Sequence, residues 1–279
     1  RKRQMLSKTS KDFIDLVIFL IIFIVVSVLG FFFFTLKTDD IDEASGCEKS
    51  GPDAYSVIVV DNTNKLTYIQ QKDIENRIFD IVFNALPNDK IVIYSLGNML
   101  KDNSDIEKIN PIVELCPYKD GKKASELLAN PKKMKKEKIK RFDIPIKKAL
   151  EGIIKREQDS DYSPILELIQ KIKVTVLHKV ITENKGIQSS GKKSVKIHLF
   201  SDLLQHTSNF SFYRKDNLTQ FLKSKKFDKV YSNLEGIDIV VWQLINTEVG
   251  AKVSKIFYDF ESILRKMNVR SVTRRNIEG

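Results

Sequence analysis

Val57-Ile58-Val59-Val60-Asp61-Asn62-Thr63-Asn64-Lys65 is an apolar run that stops at an aspartate and continues in small polar residues. A strand buried on both faces of a parallel sheet reads as such a run, without alternation. The residues just past its carboxyl end lie where open α/β sheets bind ligands. Val195-Lys196-Ile197-His198-Leu199-Phe200-Ser201-Asp202 repeats the design. Two strands are thus expected to deliver an aspartate each to one sheet edge.

Outward from these strands the chain alternates. Tyr55–Val60 is followed by Ile74, Ile78, Phe79, Ile81, Val82 and Leu86 at helical spacing, then by the strand Ile91–Ser95. Ile112–Leu115 reads as a short edge strand antiparallel to the second strand. Phe142, Ile146, Leu150, Ile153 and Ile154 mark another helix. Ser163-Pro164 has the form of a helix start, with a Ser N-cap and Pro at the first helical position. That helix carries Ile165, Leu166, Leu168, Ile169 and Ile172. After the Asp202 strand come a helix near 216–232 and, past Gly236, the strand Ile237–Trp242. A stripe from Val253 to Met267 reads as a helix, and Val269–Val272 as a last edge strand. This order predicts a doubly wound, mostly parallel, Rossmann-like α/β sheet with helices on both faces, over residues 55–272. Neither Gly-rich phosphate-binding fingerprint, GxGxxG nor GxxxxGK[ST], is present.

Ahead of this domain, Leu16 to Phe34 contains no charged residue. About 20 apolar residues cross a bilayer core. A signal peptide is shorter and ends in small residues, where Phe31–Phe34 is bulky. The reading is a transmembrane helix over 13–36, a cytoplasmic tail over 1–12, and a polar linker over 37–54. Arg1, Lys2, Arg3, Lys8 and Lys11 precede the span, and Lys37, then Asp39, Asp40, Asp42 and Glu43, follow it. Basic flanks stay cytoplasmic, which puts the domain in the periplasm or outside the cell. In that compartment Cys47 and Cys116 are able to pair, and their spacing excludes a CxxC redox motif. Two unpaired thiols remain the alternative.

The net charge of +11 is spread along the chain, and no specific nucleic-acid partner is expected from it. Its densest part is Pro131 to Arg141, within a lysine-rich insertion over about 117–141. No aromatic residues are interleaved with these lysines, as a single-strand binder requires. The stretch is read as solvated and mobile, with contact to an anionic polymer or lipid head groups as the alternative. Residues 273–279 are read as a tail.

Asp61 and Thr63 past the first strand, Ser163 at a helix start, and Asp202 past a later strand converge on one edge. Carboxylates and hydroxyls without His or Cys are hard oxygen donors, suited to Mg²⁺ or another hard divalent cation. At this point the chain resembles a von Willebrand factor type A domain. That family has a strand ending in D-x-S-x-S, a hydroxyl residue before a central helix, and an Asp after a later strand. The resemblance implies a metal-ion-dependent adhesion site at Asp61, Thr63, Ser163 and Asp202. Lys65 departs from it, standing where the family has a second Ser. An ammonium cannot ligate a cation, and its alternative role is to replace the metal's charge among the carboxylates.

The expected function is that of a membrane-anchored, non-enzymatic module binding protein partners at the cell envelope. The alternatives are an extracytoplasmic metal-dependent hydrolase or phosphatase, and a structural subunit whose site is inert. A phosphotransferase with two aspartates in its first motif is disfavoured by Thr63. His206, near Ser201-Asp202, is read as a surface-loop residue, because this spacing makes no triad.

Overall fold

The structure is a computed structural model describing residues 16–31, 41–98, 109–121, 130–155, 160, 162–177, 194–245 and 253–277. The chain divides into two units, Arg1–Asp40 and Ile41–Gly279.

In the first unit, residues 16–31 form a helix, α1. Its length is about 24 Å at 1.5 Å per residue. Its apolar side chains, from Leu16 to Phe31, are exposed. Among the described residues no helix is long and apolar enough to cross a membrane. The rest of the expected 13–36 span lies outside them.

The second unit is built on a six-stranded sheet of order β3-β2-β1-β4-β5-β6. The strands are β1 (Ala54–Val60), β2 (Asp89–Ser95), β3 (Val113–Leu115), β4 (Ser194–Ser201), β5 (Ile237–Gln243) and β6 (Ser271–Asn276). All neighbours pair in parallel except β2 and β3. The chain winds from β1 toward β2 on one side and from β4 toward β6 on the other. Strand order therefore reverses between β1 and β4, the kind of position at which open α/β sheets bind ligands past the strands' carboxyl ends.

Side chains of β1 alternate between two cores, as the strand period of two requires. Ile58 and Val60 face α2 (Tyr68–Phe83) and α4 (Ile144–Ile154), meeting Ile74, Ile78, Val82, Ile146 and Leu150. Val57 and Val59 face the other core, which includes α5 (Ile165–Ile172), α7 (Lys225–Val230) and α8 (Val253–Lys266). Every side chain of α5 except Gln170 and Lys171 is buried, so this helix is a core element all round.

Several expectations need correction. The 216–232 helix is two short ones, α6 (Leu218–Phe221) and α7. The last strand is Ser271–Asn276, so ordered sheet continues into the stretch read as a tail. The lysine run expected to be mobile is helical. Its helix, α3 (Pro131–Lys138), is capped by Asn130, whose side chain accepts from the Lys133 N–H. A π turn at Ile139–Asp143 joins α3 to α4. Pro145 accounts for it: without an N–H, Pro cannot close the usual bond four residues back, and the ladder widens. The Ile144 N–H reaches Ile139 instead. Within the polar stretch 37–54, Ile41 bridges Glu48, and Cys47 is disulfide-bonded to Cys116.

Candidate functional site

The parallel register places Val60 beside Phe200, so Asp61 and Ser201 follow as neighbours at the carboxyl ends of β1 and β4. The Asp61 N–H donates to the Phe200 carbonyl at 2.8 Å. The Asp61 side chain is 4% exposed and is the acceptor at the centre of the cluster. Thr63 Oγ1 donates to Oδ1 at 2.6 Å, and the Thr63 N–H adds a bond at 3.2 Å. Ser201 Oγ donates to Oδ2 at 2.6 Å and Ser163 Oγ at 3.4 Å. Three hydroxyls from three separate chain segments thus converge on one carboxylate. Asp202 lies alongside; it accepts from the Leu204 N–H at 3.0 Å and from Asn64 Nδ2 at 3.0 Å. Lys65, the next residue, is exposed.

The loop after β1 is held from below by Asn62. Its Oδ1 accepts from Ser95 Oγ at 2.8 Å and from the Gly97 N–H at 2.7 Å, and its Nδ2 donates to the Ile153 carbonyl at 3.0 Å. This ties β1 to β2 and α4 directly under Asp61. A Cβ at Gly97 would come within 2.5 Å of the Asn62 side chain, so glycine is required there by close approach.

Ser163 is not an N-cap. Its hydroxyl turns to Asp61, and its backbone makes a two-bond bridge with His206, at 3.0 and 2.9 Å. The buried N–H of Leu166, without an intrahelical partner in the first turn of α5, is satisfied by Gln205 Oε1 at 3.0 Å. Gln205 is in turn held by Glu167, a buried carboxylate on α5, at 2.7 Å. Thr207 Oγ1 and Asn209 Nδ2 also donate to Glu167, at 2.9 and 3.1 Å. The loop after β4 is therefore anchored through one buried acid, and with it the position of Ser163. His206 is half-buried rather than free at the surface; its Nδ1 meets Ser211 Oγ at 2.6 Å.

Of the residues singled out from sequence, Asp61, Thr63 and Ser163 meet directly, and Asp202 joins them through its place next to Ser201. Ser201, Asn62, Asn64, Gln205 and Glu167 were not singled out. Glu167 carries a readable signal, a charge set among five apolar residues of a buried helix. The others are read only from tertiary hydrogen bonds.

Comparisons with known proteins add likenesses alone. No family model and no curated protein matches the chain. Among solved structures, BatB from Bacteroides thetaiotaomicron is similar at 10% identity and a TM-score of 0.36, over 81% of this chain and 91% of that one. An aerotolerance-related membrane protein from Bacteroides fragilis, carrying multiple mutations to serine, is similar at 11% identity and 0.36, over 80% and 91%. Likeness at this level assigns neither family nor function.

Burial, and then the nearby Asp202 carboxylate, push the Asp61 carboxyl up to about 6, against the pull of Ser201 and Thr63. Between about 4 and 6 the folded state thus holds a proton that the unfolded chain releases. Asp61 therefore favours folding at low pH, and this contribution is lost as pH rises through 6. Burial acts oppositely on His198, pulled down to about 4, so its contribution is lost as pH falls below its ordinary value. The two offset each other in the wild type. Asp61→Asn isolates the first. Measured by urea unfolding without divalent cations, the variant gains on wild type by on the order of 2 to 3 kcal/mol between pH 4 and pH 8. A stability difference independent of pH would show that Asp61 ionises as an ordinary exposed acid.

Proposed function

We propose that this protein is a membrane-anchored interaction module of von Willebrand factor type A kind, whose partner-binding site is the Asp61/Asp202 edge. The convergence of the Thr63, Ser163 and Ser201 hydroxyls on Asp61 carries the reading. Two carboxylates and three hydroxyls from the ends of β1 and β4 and the start of α5 are gathered at the reversal of strand order. An arrangement needed only to close a loop has no use for so many donors from segments so far apart.

The donor set fits a hard divalent cation such as Mg²⁺. Among the described residues no group of three or more His, Cys, Asp or Glu side chains forms a metal cluster, so hydroxyls would complete the shell. Asp61, Thr63, Ser163 and Asp202 would hold the ion, with Ser201 supplying a hydroxyl where Lys65 provides none. Bound there, the ion would supply a positive charge able to take a carboxylate from a protein partner. The chain's own part is to bury Asp61 and to hold the segments that carry the hydroxyls through Asn62 and Gln205.

The anchor is the uncharged stretch that includes α1, with the domain on the extracytoplasmic side. The apolar surface α1 exposes and the basic residues before it support this reading.

The test is calorimetric titration of the full chain with Mg²⁺ and Mn²⁺. Wild type binds, and its melting temperature rises by several degrees at saturating ion. The gain grows as pH rises through 6, because the cation competes with the Asp61 proton. Asp61→Asn abolishes both effects. A wild type that binds neither ion, or a variant that binds as well, removes the metal from the proposal.

A further inference from the structure

The end of the sheet opposite Asp61 carries a second surface. Phe83, Pro87, Pro117, Tyr118, Met134 and Lys138 line a cleft of about 500 Å³ there. One wall is α3. From Asn130 to Arg141 the chain has seven basic residues and one acidic residue, Glu137, and Glu137 is paired with Arg141 at 2.8 Å. Lys132, Lys133, Lys135 and Lys136 are exposed, and so is Leu86 beside the cleft. Lys138 is drawn inward, 6.0 Å from the centre of the Phe83 ring and 3.7 Å from Asp143. The surface is a cationic helix bordering an apolar floor.

The start of the domain is fastened to the same place. The Glu43 carbonyl accepts from Tyr118 Oη at 3.4 Å and from Arg141 Nη1 at 3.5 Å. The Cys116 N–H donates to the Ser45 carbonyl at 2.8 Å, and Cys47 is bonded to Cys116. In the sequence, residues 32–42 separate Glu43 from the end of α1. Eleven residues reach at most about 40 Å when fully extended.

We propose that α3 and the adjoining cleft dock on anionic phospholipid, the lysines on the headgroups and the cleft rim at the edge of the acyl region. The inference rests on the anchor reading above. The domain begins a few residues of sequence after the proposed span, and several exposed lysines add their attraction to negative lipid within a Debye length. An acidic protein segment would meet the same charges, but the chain's own entry point beside α3 favours the membrane. Docking would turn the Asp61 edge, at the far end of the strands, away from the bilayer and toward partners.

The full chain is placed in nanodiscs of phosphatidylcholine, with and without one third phosphatidylglycerol. Lysine reactivity is then read by acetylation and mass spectrometry. Modification of Lys132, Lys133, Lys135 and Lys136 falls threefold or more in the anionic discs and recovers in 0.5 M NaCl. Lys225 and Lys229, on the opposite side of the sheet, do not change. Equal reactivity of the α3 lysines in both discs overturns the proposal. So does protection by soluble polyglutamate with none by the anionic bilayer, which would assign the surface to a protein. Co-elution with the discs reads the anchor separately. If the chain elutes apart from them, the anchor reading fails, and the footprint with added phosphatidylglycerol vesicles decides the α3 surface alone: protection keeps it, no protection removes it.

Discussion

Reduction of the Cys47–Cys116 bond is expected to lower the melting temperature of the domain by about 10 °C. The bond closes a loop with a sequence separation of 69. In the chain-entropy model such a loop is worth about 4 kcal/mol. For a domain of this size each kcal/mol shifts melting by about 2–4 °C. The loss should concentrate at one edge. Cys116 follows β3, a strand of three residues held by β2 on one side only. Cys47 precedes β1, so the bond fastens the chain's entry to that edge. Calorimetry of the full chain with and without reductant measures the effect, and the Cys47→Ser/Cys116→Ser double variant should reproduce it. A shift under about 2 °C in both would mean the edge holds without the bond, and that the unfolded chain is already constrained.

Replacing Glu167 is the second large effect. Glu167→Leu removes the acceptor shared by Gln205, Thr207 and Asn209. Gln205 Nε2 keeps a longer bond to Thr207 Oγ1, at 3.3 Å, while the half-buried Asn209 amide loses its Glu167 acceptor. A donor left unpaired on burial costs about 1–3 kcal/mol, so the expected loss is about 2 kcal/mol by chemical denaturation. Glu167→Gln keeps one carbonyl acceptor and should cost less than half as much. The consequence reaches the site. Gln205 caps α5, and its neighbour His206 pairs with the Ser163 backbone, so a loosened loop should also weaken the response to divalent cation. If Glu167→Leu matches the wild type in stability, the network is replaceable by apolar packing, and its role in placing Ser163 falls with it.

The architecture could be read from residues because parallel strands buried on both sides are unbroken apolar runs, and surface helices carry a 3.6-residue stripe. Asp61 and Asp202 stood out for the same reason, each ending such a run. What could not be read was side-chain hydrogen bonding across the fold. Ser163-Pro164 has the local form of a helix cap, yet the serine turns to Asp61 and Gln205 does the capping. Asn62 looks like any polar loop residue until Ser95, Gly97 and Ile153 are seen around it. At the lysine run, charge density suggested a mobile insertion. Asn130-Pro131 was the better guide there, a helix-start pair that outweighed the missing apolar stripe.

Photo-crosslinking in the intact cell envelope tests the central claim most directly. A photoreactive residue is placed at Tyr68, which is exposed at the start of α2, just beyond the Asp61 loop. The account predicts a discrete protein adduct that disappears when Asp61→Asn is added in the same chain. An adduct that survives Asp61→Asn unchanged would contradict it, because the partner would then be held by a surface that does not use the Asp61 site.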